Sequence, residues 1–393
     1  MMRTVIPADE LLNKARAIGQ YYGFTPLGVL TAEARGKIHI RTPFMPPEDM
    51  VLDPIAELMV NFLKQFRATE HLPSPRQPVF VWHTNIALGR PTPKKAVIQF
   101  HALGADRAIA DAVVIRALLA LTRDLFHEDF SIRINSMGDK ETRARYVREL
   151  AMYFKKRGAT LSEEYIVCAR RDAFEAAELV IASERGGDDL PAPTEHLSDA
   201  SRKRFEDLLE YLEMTETPYE LARDLLSKGG AWSDACFEVV APGLSAQTGL
   251  PEQAGRRLAW GSRYSDLVRH FFPATPFSAT GAVLQIACEG EVTAVRAPGR
   301  LRFSFIHIGD EAKRLSIRLA EEFRRARLPL SQHIGIESLT EQLRIAEKRN
   351  SPYLLIMGRK EALENTAILR NRATQEETIL PVNGLAERLR TFA

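Results

Sequence analysis

Apolar residues recur at helical spacing in some stretches of the chain and form extended runs in others. Helical spacing predicts helices over residues 9–22, 53–67, 107–126 and 140–157. Extended runs predict strands at 36–41, at 130–136 and on both sides of the loop Gly89–Lys95. Helices and strands are therefore mixed over residues 1–157, the first part of a predicted core.

Charged helical patterns replace this mixture between residues 158 and 230. They predict a helical insertion over 158–230 that takes no part in a sheet. Strand-like segments resume near 236–248 and 256–260, and the apolar run 282–297 predicts a buried hairpin or strand pair. Residues 231–299 are therefore expected to form the second part of the core.

A separate unit is predicted for residues 300–393. Its strand and helix patterns follow the order βαβαββα, beginning with the strand 303–309 and closing with the helix 383–392. This order predicts a mixed α/β domain of roughly ninety residues with crossover helices.

Composition and charge narrow the classes of partner. Hydrophobic residues make up 45% of the 393 residues and charged residues 26%, as in ordinary globular proteins. The net charge of +2 excludes a globally basic nucleic-acid coat, so a polyanion would have to meet a local patch. Cys168, Cys236 and Cys288 are widely spaced, which favours three buried thiols in a reducing compartment over a zinc site.

The sequence offers neither a leader nor a metal motif. Charged residues interrupt the first twenty positions, and no run approaches the ~18 apolar residues that a membrane span needs. His39, His71 and His127 have no companions at metal-ligand spacing. We therefore expect a soluble cytoplasmic protein with no membrane partner and no metal site.

Several segments carry a family resemblance. Residues 134–150 read INSMGDKETRARYVREL, residues 259–271 read AWGSRYSDLVRHF, and 308–330 read IGDEAKRLSIRLAEEFRRARLPL. In this order they resemble the histidyl-tRNA synthetases, which are class II aminoacyl-tRNA synthetases. The resemblance implies an α+β fold, with an antiparallel-sheet core, a helical insertion and a C-terminal α/β domain of the anticodon-binding type. It also implies a homodimer.

Two ATP-binding arginines of the family are absent at the matching positions. The arginine of the second motif, which clamps the α-phosphate in the family, falls on Ala87 or Leu88. The Glu-Arg pair that closes the third motif is replaced by Gln285 and Ile286. A planar guanidinium suits a phosphate because it neutralises charge and donates in a fork.

Three further motifs have lost their polar residues. The histidine-recognition loop corresponds to 240–249 and lacks its arginine, acid and tyrosines, while the amino-acid-binding Leu-Arg-Pro-Glu stretch has become 52–57. The acidic stretch after the second motif is reduced to 111–113. Removing one preorganised donor costs on the order of 10²–10³ in rate. We therefore expect a catalytically inactive protein with no cofactor.

The alternative is a divergent but active histidine–tRNA ligase, which would use ATP and magnesium. It would need substitute cations near the ATP site. The candidates along the sequence are Arg90, Lys94 and Lys95 in the basic, proline-stiffened loop, with Arg256 and Arg257 farther on. In the inactive protein this loop is a phosphate site without its clamp, and its lysines either contact RNA or lie on a solvated turn.

Four other positions match the family and are candidate ligand contacts. Gln99 and His101 follow the loop on a strand that faces the family's active site, and Arg263 and Tyr264 match its Arg-Tyr pair. Each also has a structural interpretation, as a core histidine with its partner or as a segment that packs the sheet.

The terminal domain has a basic surplus. Residues 300–393 hold 17 Lys and Arg against 12 Asp and Glu. Local basic charge binds RNA backbone but is also common on solvated helix faces. The candidate RNA contacts are Arg324, Arg325, Arg327, Arg370 and Arg372.

These observations favour a non-catalytic, regulatory or accessory dimer that binds tRNA, another RNA or a protein. Degenerate relatives take two forms. The ATP phosphoribosyltransferase regulatory subunit senses histidine without a terminal domain, and the accessory subunit of mitochondrial DNA polymerase keeps that domain and acts by binding. The retained terminal domain and the altered histidine loop favour a binding role over histidine sensing.

Overall fold

The computed structural model describes residues 5–33, 52–86, 94–158, 160–183, 189–226, 231–241, 258–290, 292 and 301–392. The predicted strand at 36–41 lies outside these residues, as do Ala87, Leu88, Arg90, Arg256 and Arg257. The described chain forms a nine-stranded sheet and a five-stranded sheet, each with its own helices.

The first half of the chain builds most of the larger sheet and its covering helices. Its strands are β1 (Ile6–Pro7), β2 (Thr25–Pro26), β3 (Val79–Ile86), β4 (Lys94–Leu103) and β5 (Ser131–Ser136). Its helices are α1 (Ala8–Tyr21), α2 (Leu27–Glu33), α3 (Pro54–Arg67), α4 (Ile109–Phe126), α5 (Lys140–Arg157), α6 (Glu163–Arg171) and α7 (Ala173–Ala182). The helices predicted from apolar spacing at 9–22, 53–67, 107–126 and 140–157 are confirmed to within a few residues.

The middle of the chain completes this sheet. It adds α8 (Asp199–Met214), β6 (Tyr219–Leu221), β7 (Ser233–Val240), β8 (Ala259–Arg263), α9 (Ser265–Phe271) and β9 (Ala279–Glu289). The strand order is β2-β3-β4-β9-β8-β7-β5-β6, with β1 pairing alongside β9. The strands β3, β4, β9, β8, β7 and β5, which are neighbours in this order, pair antiparallel. The short strands β2 and β6 pair parallel at the two edges of the sheet, and β1 pairs parallel with the end of β9.

Alternate residues of β4 enter two different apolar layers. Ile98 and Phe100 face α1 and α4, whereas Val97 and Leu103 face the layer that contains α3, α5, α7 and α9. The period of two along a strand produces this division. Helix α4 is buried along almost its whole length because it lies between the sheet, α1 and α8.

One sequence prediction in the middle of the chain was wrong. Residues 219–221, placed in an insertion outside any sheet, form β6 and pair parallel with β5. A three-residue strand is too short to show a period, so its apolar pattern could not be seen. The first part of the segment predicted as a hairpin or strand pair over 282–297 lies in one long strand, β9, that pairs with β4 along ten positions, and most of its second part lies outside the described residues.

The terminal unit forms the five-stranded sheet β11-β10-β12-β13-β14. Its elements are β10 (Phe303–His307), α10 (Asp310–Arg325), β11 (Leu330–Gln332), α11 (Leu339–Lys348), β12 (Tyr353–Met357), α12 (Arg359–Leu363), β13 (Thr366–Asn371), β14 (Glu377–Pro381) and α13 (Leu385–Leu389). Strands β10, β11 and β12 are parallel, and β12, β13 and β14 are antiparallel. Compared with the predicted order βαβαββα, the domain has one further strand and the short helix α12. An α+β protein with an antiparallel core and a C-terminal α/β domain is thereby confirmed.

The terminal domain shares its core with the larger sheet. Ile317 and Ala320 of α10, together with Ile334, belong to the apolar cluster of α1 and α4. Gly23, with φ of +80°, lies so close to Gln332 that a Cβ would stand 2.4 Å from its carbonyl oxygen. A side chain at this position would therefore be strained and would push the domains apart.

Polar contacts join the same two domains. Tyr22 donates to Glu321 over 2.9 Å, and Arg107 pairs with Asp310 over 2.6 Å. The terminal domain is therefore held by both apolar packing and charged hydrogen bonds. None of the described helices has the length and apolar character that crossing a membrane requires.

Candidate site on the core sheet

Gln99, His101 and Tyr264 form a buried hydrogen-bonded cluster on the face of the sheet covered by α3. The two ring nitrogens of His101 lie 2.7 Å from the Tyr264 hydroxyl and 3.0 Å from Gln99 Oε1. The ring of Phe62 stacks on the imidazole with a centroid distance of 3.5 Å. All three polar side chains are buried, so they lie behind α3 and away from solvent.

The cluster fixes the protonation of His101. Gln99 presents an oxygen, so Nε2 carries the proton and Nδ1 accepts from the Tyr264 hydroxyl. Burial lowers the pKa of His101 well below its ordinary value, and the nearby His83 lowers it further. Burial also raises the pKa of Tyr264. Both imidazole nitrogens are therefore committed to internal bonds, and the ring is neutral.

Gly281 permits this cluster to close. A Cβ at this position would stand 2.5 Å from His101 Nδ1 and 2.9 Å from a ring carbon of Tyr264. Only a residue without a side chain fits such an approach. The cluster is therefore packed against β9 on one side and α3 on the other.

Arg263 points to the opposite face of the sheet from Tyr264. Its Nε and Nη2 donate to the same oxygen of Asp111 over 2.9 and 2.7 Å, and Nη2 also donates to the Arg107 carbonyl over 3.0 Å. The side chains of Arg263 and Asp111 are 1% and 2% exposed. Burial alone would lower the pKa of Arg263, but the Asp111 charge outweighs it and raises the pKa. The charges of Arg263 and Asp111, two positions that match the family by sequence, thus neutralise each other beneath α4.

Asp53 begins α3 and is engaged at both carboxylate oxygens. Its Oδ1 accepts the backbone N–H groups of Ile55 and Ala56 over 2.8 and 2.7 Å. Its Oδ2 accepts from the indole of Trp232 over 2.9 Å. In the stretch resembling the family's amino-acid-binding residues, the acid therefore caps a helix and anchors a tryptophan.

Gln285 and Ile286 lie side by side on β9 and face opposite layers. Ile286 is buried in the α4 layer, and Gln285 is half-buried on the α3 face. Since successive residues of a strand point to opposite faces of the sheet, only one of these two side chains can lie on the α3 face. An aliphatic side chain at 286 is part of the core and offers no charge.

The accessible polar positions of this face lie at its other end. Lys95 is exposed on this face, and the β3 residues His83 and Asn85 pair across from Gln99 and Val97. Lys94, one position earlier in β4, lies on the opposite face and reaches the Gly290 carbonyl over 3.4 Å. Burial lowers the pKa of His83. Sequence reasoning passed over His83 and Asn85, although the alternation of apolar and polar residues in β3 could have indicated them.

Arg324 lies in the contact between the domains. Its Nη1 donates to both carboxylate oxygens of Asp124, on α4, over 2.7 and 2.8 Å, while Nε and Nη2 bond Glu321. Arg325 is exposed but also donates to Glu321 over 3.0 Å. Two of the predicted RNA contacts therefore have internal carboxylate partners.

The other three candidate RNA contacts are spread over the terminal domain. Arg370 donates to Glu377 on the neighbouring strand over 2.6 Å, and Arg372 donates to the Ser351 carbonyl over 3.1 Å. Arg327 is exposed at the end of α10. The predicted basic cluster is therefore largely neutralised by local acids. Within the described ranges no group of His, Cys, Asp and Glu has the geometry to hold a metal ion.

Comparison with known proteins finds similarity to one group of enzymes and to one domain family. The model of the anticodon binding domain matches residues 303–392. Histidine–tRNA ligase 1 of Shouchella clausii (strain KSM-K16) is 26% identical over 328 residues, which cover 79% of this chain and 74% of that protein. The histidine–tRNA ligase of Pelodictyon phaeoclathratiforme (strain DSM 5477 / BU-1) is 28% identical over 304 residues, covering 74% and 68%.

The chain is thus similar to histidyl-tRNA synthetases over about three quarters of its length. Among solved structures, the histidyl-tRNA synthetase from Nostoc sp. PCC 7120 is 16% identical, covers 100% of this chain and 99% of its own, and superposes with a TM-score of 0.42. In this histidyl-tRNA synthetase-like chain the positions that match the family by sequence divide into buried internal pairs and a small accessible polar edge.

Proposed function

We propose that this protein is a catalytically inactive member of its family that binds tRNA as a cytoplasmic homodimer. The observation that supports the proposal is that the residues matching the family by sequence are hydrogen-bonded to one another inside the protein. Gln99, His101 and Tyr264 bond one another, and Arg263 bonds Asp111. Both imidazole nitrogens of His101, the Tyr264 hydroxyl and the Nε and Nη2 of Arg263 are therefore engaged inside the protein and not held ready for a substrate.

The residues of the described chain do not fit a bound magnesium–ATP. Clamping the nucleotide requires preorganised cations aimed at its phosphates. At the third-motif positions the chain presents Gln285 and a buried Ile286, and Arg263 is directed beneath α4. These observations support the absence of amino-acid activation.

The terminal domain supports tRNA as the partner. Its match is to an anticodon binding domain, and the relatives named above are ligases of tRNA. Exposed cations such as Arg327 and Lys95 are available to backbone phosphates. Because many other arginines are paired internally, we expect binding of moderate strength with a shallow salt dependence.

ATP–pyrophosphate exchange tests the inactive state. We expect no exchange above background with any of the twenty amino acids. We also expect no rise in melting temperature with ATP, magnesium and histidine, because a ligand at a hundred times its Kd would add about 2.7 kcal/mol. Exchange with histidine would instead support the divergent active ligase.

A mobility-shift titration with total tRNA across a salt series tests the partner. We expect a shifted complex at low salt that weakens as salt rises, since bound phosphates release counterions. If no complex forms even at the lowest salt, the tRNA proposal is wrong and a protein partner takes its place.

A further inference from the structure

A cavity of about 390 Å³ lies between the core and the terminal domain. Helix α4 supplies Arg116 and Arg123 to its wall, and α10 supplies Arg318 and Arg325. The turn after α8 and the start of α13 close the remaining sides. The volume is in the range of small-molecule sites in proteins.

The α4 side of the cavity holds buried guanidinium groups that are incompletely paired. Arg116 is 4% exposed, and its Nη1 donates to the carbonyl of Thr215 and the hydroxyl of Thr217 over 3.2 and 3.0 Å. The Nε atoms of Arg116 and Arg123 are buried and have no protein acceptor. The hydrogen-bonding capacity of both guanidinium groups is therefore not fully used inside the protein.

Arg123 has the weakest internal compensation. Its one hydrogen bond runs to the Phe130 carbonyl over 3.3 Å, and within the described part of the chain no carboxylate lies within 4.0 Å of it. Burial lowers the pKa of Arg123, and the neighbouring charge of Arg116 lowers it further, against a smaller opposing effect of Asp129 and Glu321. A cation in this setting gains from an added negative charge.

The nearest acid is already shared. Glu321 accepts from Arg324, from Arg325 and from Tyr22, and it lies 3.9 Å from Arg116. Burial would raise the pKa of Glu321, but the bonds and charge of Arg324 bring it down to about 2. One carboxylate, Glu321, therefore serves several cations, while the lining as a whole holds four arginines and four glutamates.

Acids elsewhere around the cavity restrict the size of the ligand. Glu216, Glu322 and Glu387 also line it. An extended polyanion such as RNA would have to pass these carboxylates, whereas a small anion can sit against the arginines. The charge arrangement therefore selects a compact anionic group.

We propose that this interdomain cavity binds a small anion carrying a phosphate or carboxylate group, held between Arg116 and Arg123 of α4 and Arg318 of α10. Arg318 is exposed and, among the described residues, makes no ion pair, so it is free to close over the ligand. Such an anion would join the core to the terminal domain. This site is independent of the proposed binding of tRNA.

Isothermal titration calorimetry of the full chain tests the site, with inorganic phosphate in one arm and citrate in the other, at matched ionic strength. We expect saturable binding of at least one of them, at one site per chain. The preferred anion identifies the class, phosphate or carboxylate. If neither binds in the millimolar range, the proposal is overturned.

Variants locate the binding. We expect R123Q to weaken it at least tenfold, R318Q several-fold, and E216Q to strengthen it because a repelling charge is removed. The matched control is R327Q, which removes an exposed cation near the end of α10 that does not line the cavity. Since Arg318 is exposed, R318Q leaves the fold intact even if R123Q does not. Binding that neither R123Q nor R318Q changes would lie elsewhere and would overturn the assignment.

Discussion

At the scale of single residues, the charged and polar side chains that match the family are paired with one another and are not accessible to a substrate. Asp111 and Arg263 are 152 positions apart in the chain and meet beneath α4. His101 and Tyr264 are 163 positions apart and meet on the other face. Neighbours in sequence, Arg263 and Tyr264, serve two separate buried clusters.

Removing one member of the buried ion pair should be costly. We expect D111A to lower the free energy of unfolding by about 3–5 kcal/mol, because Arg263 would remain charged and buried without a counter-ion. The midpoint of urea denaturation measures the change. D207A removes the exposed Lys203–Asp207 pair and should cost about 0–1 kcal/mol. Equal effects of D111A and D207A would contradict the assigned role of the buried pair.

His307 should make the protein sensitive to acid. Burial and the charge of Lys313 lower the pKa of His307 to about 3, and both of its ring nitrogens lack a protein partner. Between about pH 6.5 and 3 the unfolded chain therefore binds a proton that the folded chain does not, so stability falls as the pH falls.

The measurement is urea denaturation at pH 7 and pH 5 for the native chain and for H307Q. The native chain should lose about 2 kcal/mol more than the variant, since one proton is worth about 1.4 kcal/mol per pH unit below the unfolded pKa. If the two proteins lose stability equally, His307 is not the titrating group.

Single residues also mark the limit of what sequence could predict for the site. Gln99, His101, Arg263 and Tyr264 were recognised as family-matching positions, but two of the contacts depend on packing across more than 150 residues: His101 with Tyr264, and Arg263 with Asp111. The pattern of β4 places Gln99 and His101 on one face, but it cannot show that Tyr264 meets His101 or that Asp111 lies against Arg263. The sequence therefore showed which residue types match the family, but it did not show that these side chains bond one another inside the protein.

At the scale of elements, α10 is both a wall of its own domain and a contact with the core. Its apolar face was predicted from spacing, but the sequence did not show that Arg324 would turn towards Asp124 of α4. Arg324 and Arg325 looked equivalent because Asp124, the acid that distinguishes Arg324, lies 200 positions away in the chain. The same limit hid β6, whose three residues gain their strand character only from pairing with β5.

Two arginines of this region should respond in opposite ways. R324Q should lower the free energy of unfolding by about 1–2 kcal/mol, between the values for exposed and buried pairs, and leave tRNA binding unchanged. R327Q should weaken tRNA binding and leave stability within about 0.5 kcal/mol. Urea denaturation and mobility shift of both variants measure this. Loss of tRNA binding in R324Q with normal stability would contradict its assignment to the domain contact.

At the scale of the whole molecule, the two domains share one apolar cluster. Ile317, Ala320 and Ile334 of the terminal domain pack with α1 and α4. A chain cut before residue 300 would expose those surfaces, so experiments on assembly are best made with the full chain.

We predict that the full chain is a homodimer. The resemblance to class II synthetases motivates this expectation, with the core and not the terminal domain forming the contact. Sedimentation velocity at several concentrations should report a species of twice the 44.1 kDa chain mass. R327Q, which alters only the terminal surface, should sediment identically. A concentration-independent monomer would contradict the prediction.

The bond between Tyr22 and Glu321 joins residues 299 positions apart, which matters during synthesis. A ribosome adds about 5–20 residues per second, so roughly 15–60 s separate the appearance of these two residues. Throughout that interval α1 has been synthesised, but the apolar surface that α10 later covers is still exposed. Completion of this part of the core must therefore wait for the last quarter of the chain. The nascent protein exposes apolar side chains for longer than one whose N-terminal helix packs only on its near neighbours, and it should depend more on chaperones while it is being made.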